Sequence, residues 1–222
     1  MLEDGRPTPS IKYYEGCSMN AIWAVKSRGI DPQSGKEIFV KKDGRTTYIY
    51  DVNDQVVCGD SQPKFNGNFG VNGEFKGIGF SLTTSYRWGG EIYNSTLVNK
   101  VENAPIEYNV DRRVFTDRWQ KPGDQTDIPR FVYGEPATST NSSRYIHSTD
   151  HLRLKNFTLG FTLPNQWTQK LMIDKVRIYF SGNNLLTWAK WKQYDPETPV
   201  NGEVFCEAPA MRTFSFGAQL SF

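Results

Sequence analysis

Phe214, Phe216, Ala218, Leu220 and Phe222 fall on one side of an extended chain, and Ser215, Gly217, Gln219 and Ser221 fall on the other. With 37% of residues hydrophobic, nine consecutive matches to this alternation arise by chance at about one position in a thousand. A strand patterned in this way belongs to a sheet that is wet on one face only. Its length also matches the roughly 9 to 11 residues that a tilted strand needs to cross the hydrocarbon of a bilayer. A soluble antiparallel sheet shows the same period, so the rest of the chain has to decide.

The pattern recurs. Gly67, Phe69, Val71, Gly73 and Phe75 alternate with Asn66, Asn68, Asn72 and Glu74. After a tight turn at Lys76-Gly77, Ile78, Phe80, Leu82, Thr84, Tyr86 and Trp88 alternate with Gly79, Ser81, Thr83, Ser85 and Arg87. Leu152 and Leu154 are out of phase with Phe157, Leu159, Phe161 and Leu163, a slip between Lys155 and Phe157 that a β-bulge absorbs, and Pro164 ends that run. Val176, Ile178 and Phe180 carry a further strand toward Trp188. The reading is all-β, with strands near 17–28, 66–76, 78–88, 151–163, 173–187 and 211–222. Asp43-Gly44 suits a two-residue type I′ hairpin outside the main sheet.

Connection lengths separate the two readings of this pattern. Lys76-Gly77 and the stretch after Pro164 are short, whereas 29–65, 89–150 and 189–209 are long, and long alternates with short from strand to strand. Every long loop then sits at one end of the sheet. Outer-membrane barrels have this asymmetry, with short periplasmic turns and long extracellular loops. The fold expected is an antiparallel transmembrane β-barrel segment. Six strands are fewer than the roughly eight of the smallest such barrels, so the expectation is a portion of a larger protein. The rival is a secreted soluble β-sandwich that binds carbohydrate through its loops.

Composition excludes several classes. The formal charge is +2, from 26 basic and 24 acidic residues spread along the chain, which leaves no footprint for nucleic acid. No run of apolar residues is long enough for a membrane helix, a test that does not touch strands. Met1-Leu-Glu-Asp-Gly-Arg-Pro does not read as a signal peptide. Cys17, Cys58 and Cys206 are far apart and read as isolated thiols.

Candidate chemistry is sparse, and neither an enzyme nor a cofactor or metal site is expected. Asp117, Asp124, Asp127 and Glu135 could supply a glycosidase carboxylate pair, but solvated loop acids are commoner. His147 and His151 have the spacing of a metal-binding helix without its glutamate. Asp31-Pro32 and Asp195-Pro-Glu197 read as turn starts rather than calcium ligands. Trp88, Trp188 and Trp191 suit a bilayer interface better than a sugar path. Arg153, Lys175 and Arg177 are assigned to a polar lumen.

Several words of the sequence, in order, resemble the C-terminal region of the SusC/RagA family of TonB-dependent outer-membrane transporters. They are Gly29-Ile-Asp-Pro-Gln-Ser-Gly35, Gly59-Asp-Ser-Gln-Pro-Lys-Phe65, Asp117-Arg-Trp-Gln-Lys-Pro-Gly-Asp124, Leu152-Arg-Leu-Lys-Asn-Phe-Thr-Leu-Gly160 and Ser181-Gly-Asn-Asn-Leu-Leu-Thr-Trp188. The resemblance implies a barrel of about 22 strands around a plug, in the outer membrane of a Gram-negative, Bacteroidetes-like bacterium. It implies energy from TonB through a region not contained here, a SusD-like surface lipoprotein, and a glycan or peptide substrate. It also makes Phe214, Phe216, Ala218, Leu220 and Phe222 the lipid-facing strand and the signal read by barrel-assembly machinery.

Overall fold

The computed structural model describes residues 12–104, 110–131, 141–168, 173–197, 203–204 and 208–221. Phe222, Glu135 and Cys206 lie outside them. The strands in chain order are β1 (Ala21–Ile30), β2 (Glu37–Val40), β3 (Thr46–Thr47), β4 (Gln55–Asp60), β5 (Phe65–Phe75), β6 (Ile78–Trp88), β7 (Glu91–Asn94), β8 (Ile146–Ser148), β9 (His151–Thr162), β10 (Lys175–Ala189), β11 (Glu203–Val204) and β12 (Thr213–Ser221). They divide between two units.

One unit comprises 63–89, 149–196 and 208–222. It is built on an antiparallel sheet of five strands in the order β12-β10-β9-β6-β5. Phe75 pairs with Ile78 across Lys76-Gly77, whose φ values of 50° and 83° are those of a type I′ turn, the hand that matches strand twist. The bulge falls where the parity slip places it. Asn156 pairs with Thr83 and Leu154 with Thr84, which makes Lys155 the extra residue of β9, so apolar residues on either side of the slip reach one face. The short connections lie at the end of the sheet marked by the row Phe75, Ile78, Phe161, Ile178 and Ala218.

The other unit comprises 1–62, 90–148 and 197–207. It holds the sheet β3-β2-β1-β4 and the small sheet β11-β7-β8, in which β11 runs parallel to β7. Ile22, Tyr93, Val98 and Tyr145 form one apolar cluster, and Val101, Val114 and Ile128 another. Here the structure corrects the sequence reading. The segment near 17–28 supplies β1, a strand of this unit and not of the five-stranded sheet. Ala21, Ile22, Ala24 and Val25 are all buried, a strand covered on both faces, and such a strand shows no period of two. The stretches read as long loops contain β2, β3, β4, β7, β8 and β11.

The Asp43-Gly44 hairpin also differs. Gly44 has φ +86° and Asp43 does not enter the positive region. The Asp43 carboxylate accepts from the backbone N–H of Arg45 at 2.9 Å, and Gly44 N–H donates to Lys41 O at 2.9 Å. The side chain of Asp43 thus builds a longer turn in place of the two-residue one.

Candidate functional site

Pairing across the five-stranded sheet fixes which side chains share a face. Val71, Leu82, Phe157, Gly182 and Phe214 form one lateral row, and Gly73, Phe80, Leu159, Phe180 and Phe216 the next. Directly paired residues point the same way, so apolar side chains from all five strands meet on one side. Phe180 lies 4.9 Å from Phe216 and 6.1 Å from Phe214, ring centre to ring centre.

This face is open. Phe216 is 83% exposed, Phe65 68%, Ile178 53% and Leu220 50%. Each such side chain left in water forgoes about 1.5–3 kcal/mol relative to burial. A sandwich would interdigitate these residues across a core, and none of these four is covered. β5 and β6 are 11 residues long, about 37 Å at about 3.4 Å per residue. Tilted by about 45°, such strands rise by about 26 Å, close to the roughly 25 Å apolar band of outer-membrane barrels.

The opposite face is polar. Asn156 Nδ2 donates to Asn183 Oδ1 at 2.9 Å, Asn183 Nδ2 donates to Thr213 Oγ1 at 3.0 Å, and Thr158 Oγ1 donates to Asn156 Oδ1 at 3.2 Å. This ladder runs across β9, β10 and β12. Arg177 is exposed on this face and its side chain passes over Gly160, where a Cβ would stand 2.9 Å from its Nε. Arg153 lies on this face too, paired with Ser85 and Thr187, but its charge is engaged. It is buried, it donates to Thr187 Oγ1 at 3.1 Å, and it is paired with Asp195. Asp195 also accepts the Ala210 N–H at 2.8 Å, so its carboxylate serves as a latch within the unit.

Trp88 and Trp188 are about half exposed, at the end of the sheet away from the short connections, and Trp88 lies 5.0 Å from Tyr86. Trp191 lies beyond β10 and is partly buried. Phe214, Phe216, Ala218 and Leu220 share the apolar face through their partners Gly182, Phe180, Ile178 and Val176.

In the other unit, two sequence words that lie far apart come together. Trp119 Nε1 donates to Pro32 O at 2.9 Å, Gly123 N–H donates to the same oxygen at 2.8 Å, and Arg130 N–H donates to Gly35 O at 2.9 Å. Gly35 has φ +67°, and a Cβ there would stand 2.5 Å from the Trp119 ring. Gly29 also has positive φ but has nothing within 4 Å. Gly35→Ala is therefore expected to loosen this junction, and Gly29→Ala to cost only the left-handed strain of about 1–2 kcal/mol. Comparative chemical denaturation would read the difference.

Asp31 turns the chain at this junction. Its carboxylate accepts from Ser34 Oγ at 2.6 Å, the Gln33 and Ser34 N–H groups, and the Tyr48 hydroxyl. These bonds, the Ser34 hydroxyl foremost, hold its pKa below the usual carboxylate value. Its lone pairs serve the turn, in line with the turn reading. Asp124 likewise accepts the N–H groups of Gln120 and Lys121, and Asp117 accepts from Thr116 Oγ1.

Beneath the junction lies an ionic cluster that no motif announces. Arg144 donates to both oxygens of Glu102 at 2.9 and 2.7 Å, approaches Glu37 at 3.2 Å, and bonds the Asp127 carbonyl. The side chains of Glu37 and Glu102 are each 1% exposed. Tyr145 Oη donates to Glu102 at 2.6 Å, and burial, then Glu102, raise its pKa well above the usual value. Arg118 donates to the carbonyls of Val114, Pro129 and Glu102, and desolvation lowers its pKa.

His147 lies on β8 and His151 begins β9, so the two do not share a helix. His151 Nδ1 donates to Thr149 O at 2.8 Å. Burial, and secondarily Arg144, lower the His147 pKa from 6.5 to about 4. A histidine held neutral in the fold refuses a proton that the unfolded chain accepts. Stability is then lost as pH falls from about 6.5 toward 4, by about 3 kcal/mol at most at about 1.4 kcal/mol per unit. Hydrogen exchange of the β7–β8 pair should quicken in this window, and His147→Gln should flatten the response.

No family model matches the chain. It is similar to TonB-dependent receptor P3 of Formosa agariphila, with 29% identity over 220 residues that take in 94% of this chain and 21% of that protein. It is also similar to TonB-dependent receptor P26 of the same organism, with 31% identity over 153 residues, 67% of this chain and 15% of that protein. Among solved structures it is similar to the RagAB peptide transporter, at TM-score 0.74 and 25% identity, covering 91% of this chain and 23% of that one. The RagAB peptide importer in its 'open-open' state matches at TM-score 0.73 and 23% identity, covering 96% of this chain and 25% of that one. The chain spans 21% and 15% of the lengths of these two curated relatives.

Proposed function

Because the chain belongs to the SusC/RagA family of TonB-dependent receptors, we propose that it forms part of the wall of an outer-membrane nutrient importer. The observation that carries this reading is the exposed apolar face on a sheet whose other face is polar. Lipid covers the first face and the transport lumen wets the second. In this reading Phe214, Phe216, Ala218 and Leu220, followed by Phe222, form the lipid-facing strand and assembly signal, and Trp88 and Trp188 anchor the outer interface. Trp191, partly buried beyond the strand, lies at the same outer end as these two. The work is transport and not catalysis.

The same proposal includes a plug and a TonB-contacting region elsewhere in the full-length receptor, a SusD-like surface lipoprotein, and the outer membrane of a Gram-negative bacterium. Likeness to RagAB, a peptide transporter, favours peptides over glycans as cargo. The test is uptake of labelled oligopeptides by cells with and without the gene and with and without TonB. Uptake that needs both supports the reading. Unchanged uptake without the gene, for peptides and glycans alike, contradicts it. The sandwich alternative loses its basis in the uncovered apolar face.

A further inference from the structure

The alignment of β12 on β10 is not set by the features that align the rest of the sheet. The turn at Lys76-Gly77 aligns β5 with β6, the bulge at Lys155 aligns β6 with β9, and an irregularity between Asn183 and Leu186 aligns β9 with β10. β10 and β12 pair without a break from Lys175–Ser221 to Asn183–Thr213, and the connection between them, 190–212, is long. The alternation of β12 forbids a slip of one residue, which would turn its apolar side chains onto the polar face. It permits a slip of two. Phe180, now opposite Phe216, would then meet Phe214 or Ala218. Asn183, which donates to Thr213 at 3.0 Å, would find another hydroxyl at Ser215 in one of the two directions.

One pair on the polar face discriminates. Tyr179 stands opposite Gly217, and a Cβ on Gly217 would lie 2.5 Å from the Cζ and Oη of that ring. The ring is thus folded over the glycine backbone, in the space a side chain would take. A slip of two brings Ser215 or Gln219 opposite Tyr179, and either side chain would lift the ring off the sheet. Phe80 covers Gly73 and Tyr86 covers Gly67 in the same way, in a hairpin whose turn already sets the alignment. Aromatic cover of a cross-strand glycine pins register.

We propose that Tyr179 and Gly217 form a register lock, the contact that makes β12 join β10 in one alignment out of those its apolar pattern allows. This lock rests on the reading of the sheet as a membrane wall, in which β12 is the strand read at assembly. Slipped by two residues, β12 would offer its outer edge about 7 Å out of step to the next strand of the wall, and backbone left unpaired in lipid is costly.

The experiment uses the full-length receptor, freed of its native cysteines, carrying one cysteine pair at a time and oxidised in isolated outer membranes. Ser181→Cys with Ser215→Cys reports the native alignment, and Ser181→Cys with Thr213→Cys and Asn183→Cys with Ser215→Cys report the slipped ones. With Tyr179 and Gly217 in place, the native pair should cross-link about tenfold more than either slipped pair. Tyr179→Ser, which introduces no clash, should bring the three within about twofold of one another. Gly217→Ala should do the same, although glycine is the poorer strand residue. Exchanging the two, Tyr179→Gly with Gly217→Tyr, should restore the native pair. A single native alignment in Tyr179→Ser or Gly217→Ala, or mixed alignments with both residues in place, would overturn the lock. Should Gly217→Ala fail to reach the membrane, Tyr179→Ser decides alone. A receptor with Tyr179 and Gly217 intact that is absent from the outer membrane rejects the wall reading instead.

Discussion

Arginine in place of Leu82 should stop most of the receptor from assembling in the outer membrane, whereas arginine in place of the adjacent Ser81 should leave assembly nearly intact. Leu82 pairs with Val71 and Phe157 in a row midway along the sheet, on the apolar face. A guanidinium at that depth costs about 2–4 kcal/mol, and close to either interface the cost falls to about 0–1 kcal/mol. Ser81 pairs with Asn72 and Thr158 on the polar face, where a cation stays hydrated. Heat-modifiable migration of membrane fractions would give the folded share of each variant. Leu220, a natural first choice from the alternation alone, pairs with Val176 near the short-connection end, so Leu220→Arg should be the milder of the two apolar-face changes.

The second large effect lies in the other unit. Arg144→Ala should cost about 3–5 kcal/mol, because it leaves two buried carboxylates without their shared partner. Glu37 and Glu102 are each 1% exposed, and Arg144 itself is only 12% exposed. Adding Glu37→Gln and Glu102→Gln to Arg144→Ala should recover part of the loss, since the orphaned charges are then gone. The exposed pair of Arg45 with Asp43 provides the contrast, and Arg45→Ala should leave the denaturation midpoint unmoved. Denaturant titration followed through Trp119, which is bound to the same unit through Pro32, would measure both.

Legibility in the sequence differs between the units for a physical reason. A wall between lipid and water forces a period of two on every strand, and β5, β6, β9, β10 and β12 carry it plainly, including the phase slip that the bulge at Lys155 absorbs. The other unit folds around buried side chains on short strands. β1 is covered on both faces and β3 has two residues, so neither leaves a periodic trace. The words around Asp31 and Trp119 stood out in the sequence, but nothing there indicated that they bind each other. Glu37, Glu102 and Arg144 were silent because separations of 42 and 107 residues leave no local pattern. A buried ion pair is written in three dimensions only.

The measurement that bears most directly on the sheet as a membrane wall is a spin-label scan of β6, with single cysteines from Ile78 to Trp88 in the full-length receptor reconstituted in lipid. Accessibility to oxygen, which partitions into hydrocarbon, should peak at Ile78, Phe80, Leu82 and Tyr86, with Thr84 shielded by its neighbours. Accessibility to a water-soluble relaxant should peak at Gly79, Ser81, Thr83 and Arg87, with Ser85 buried. Accessibilities that do not alternate, or apolar positions shielded from both reagents as in a packed protein core, would contradict the account.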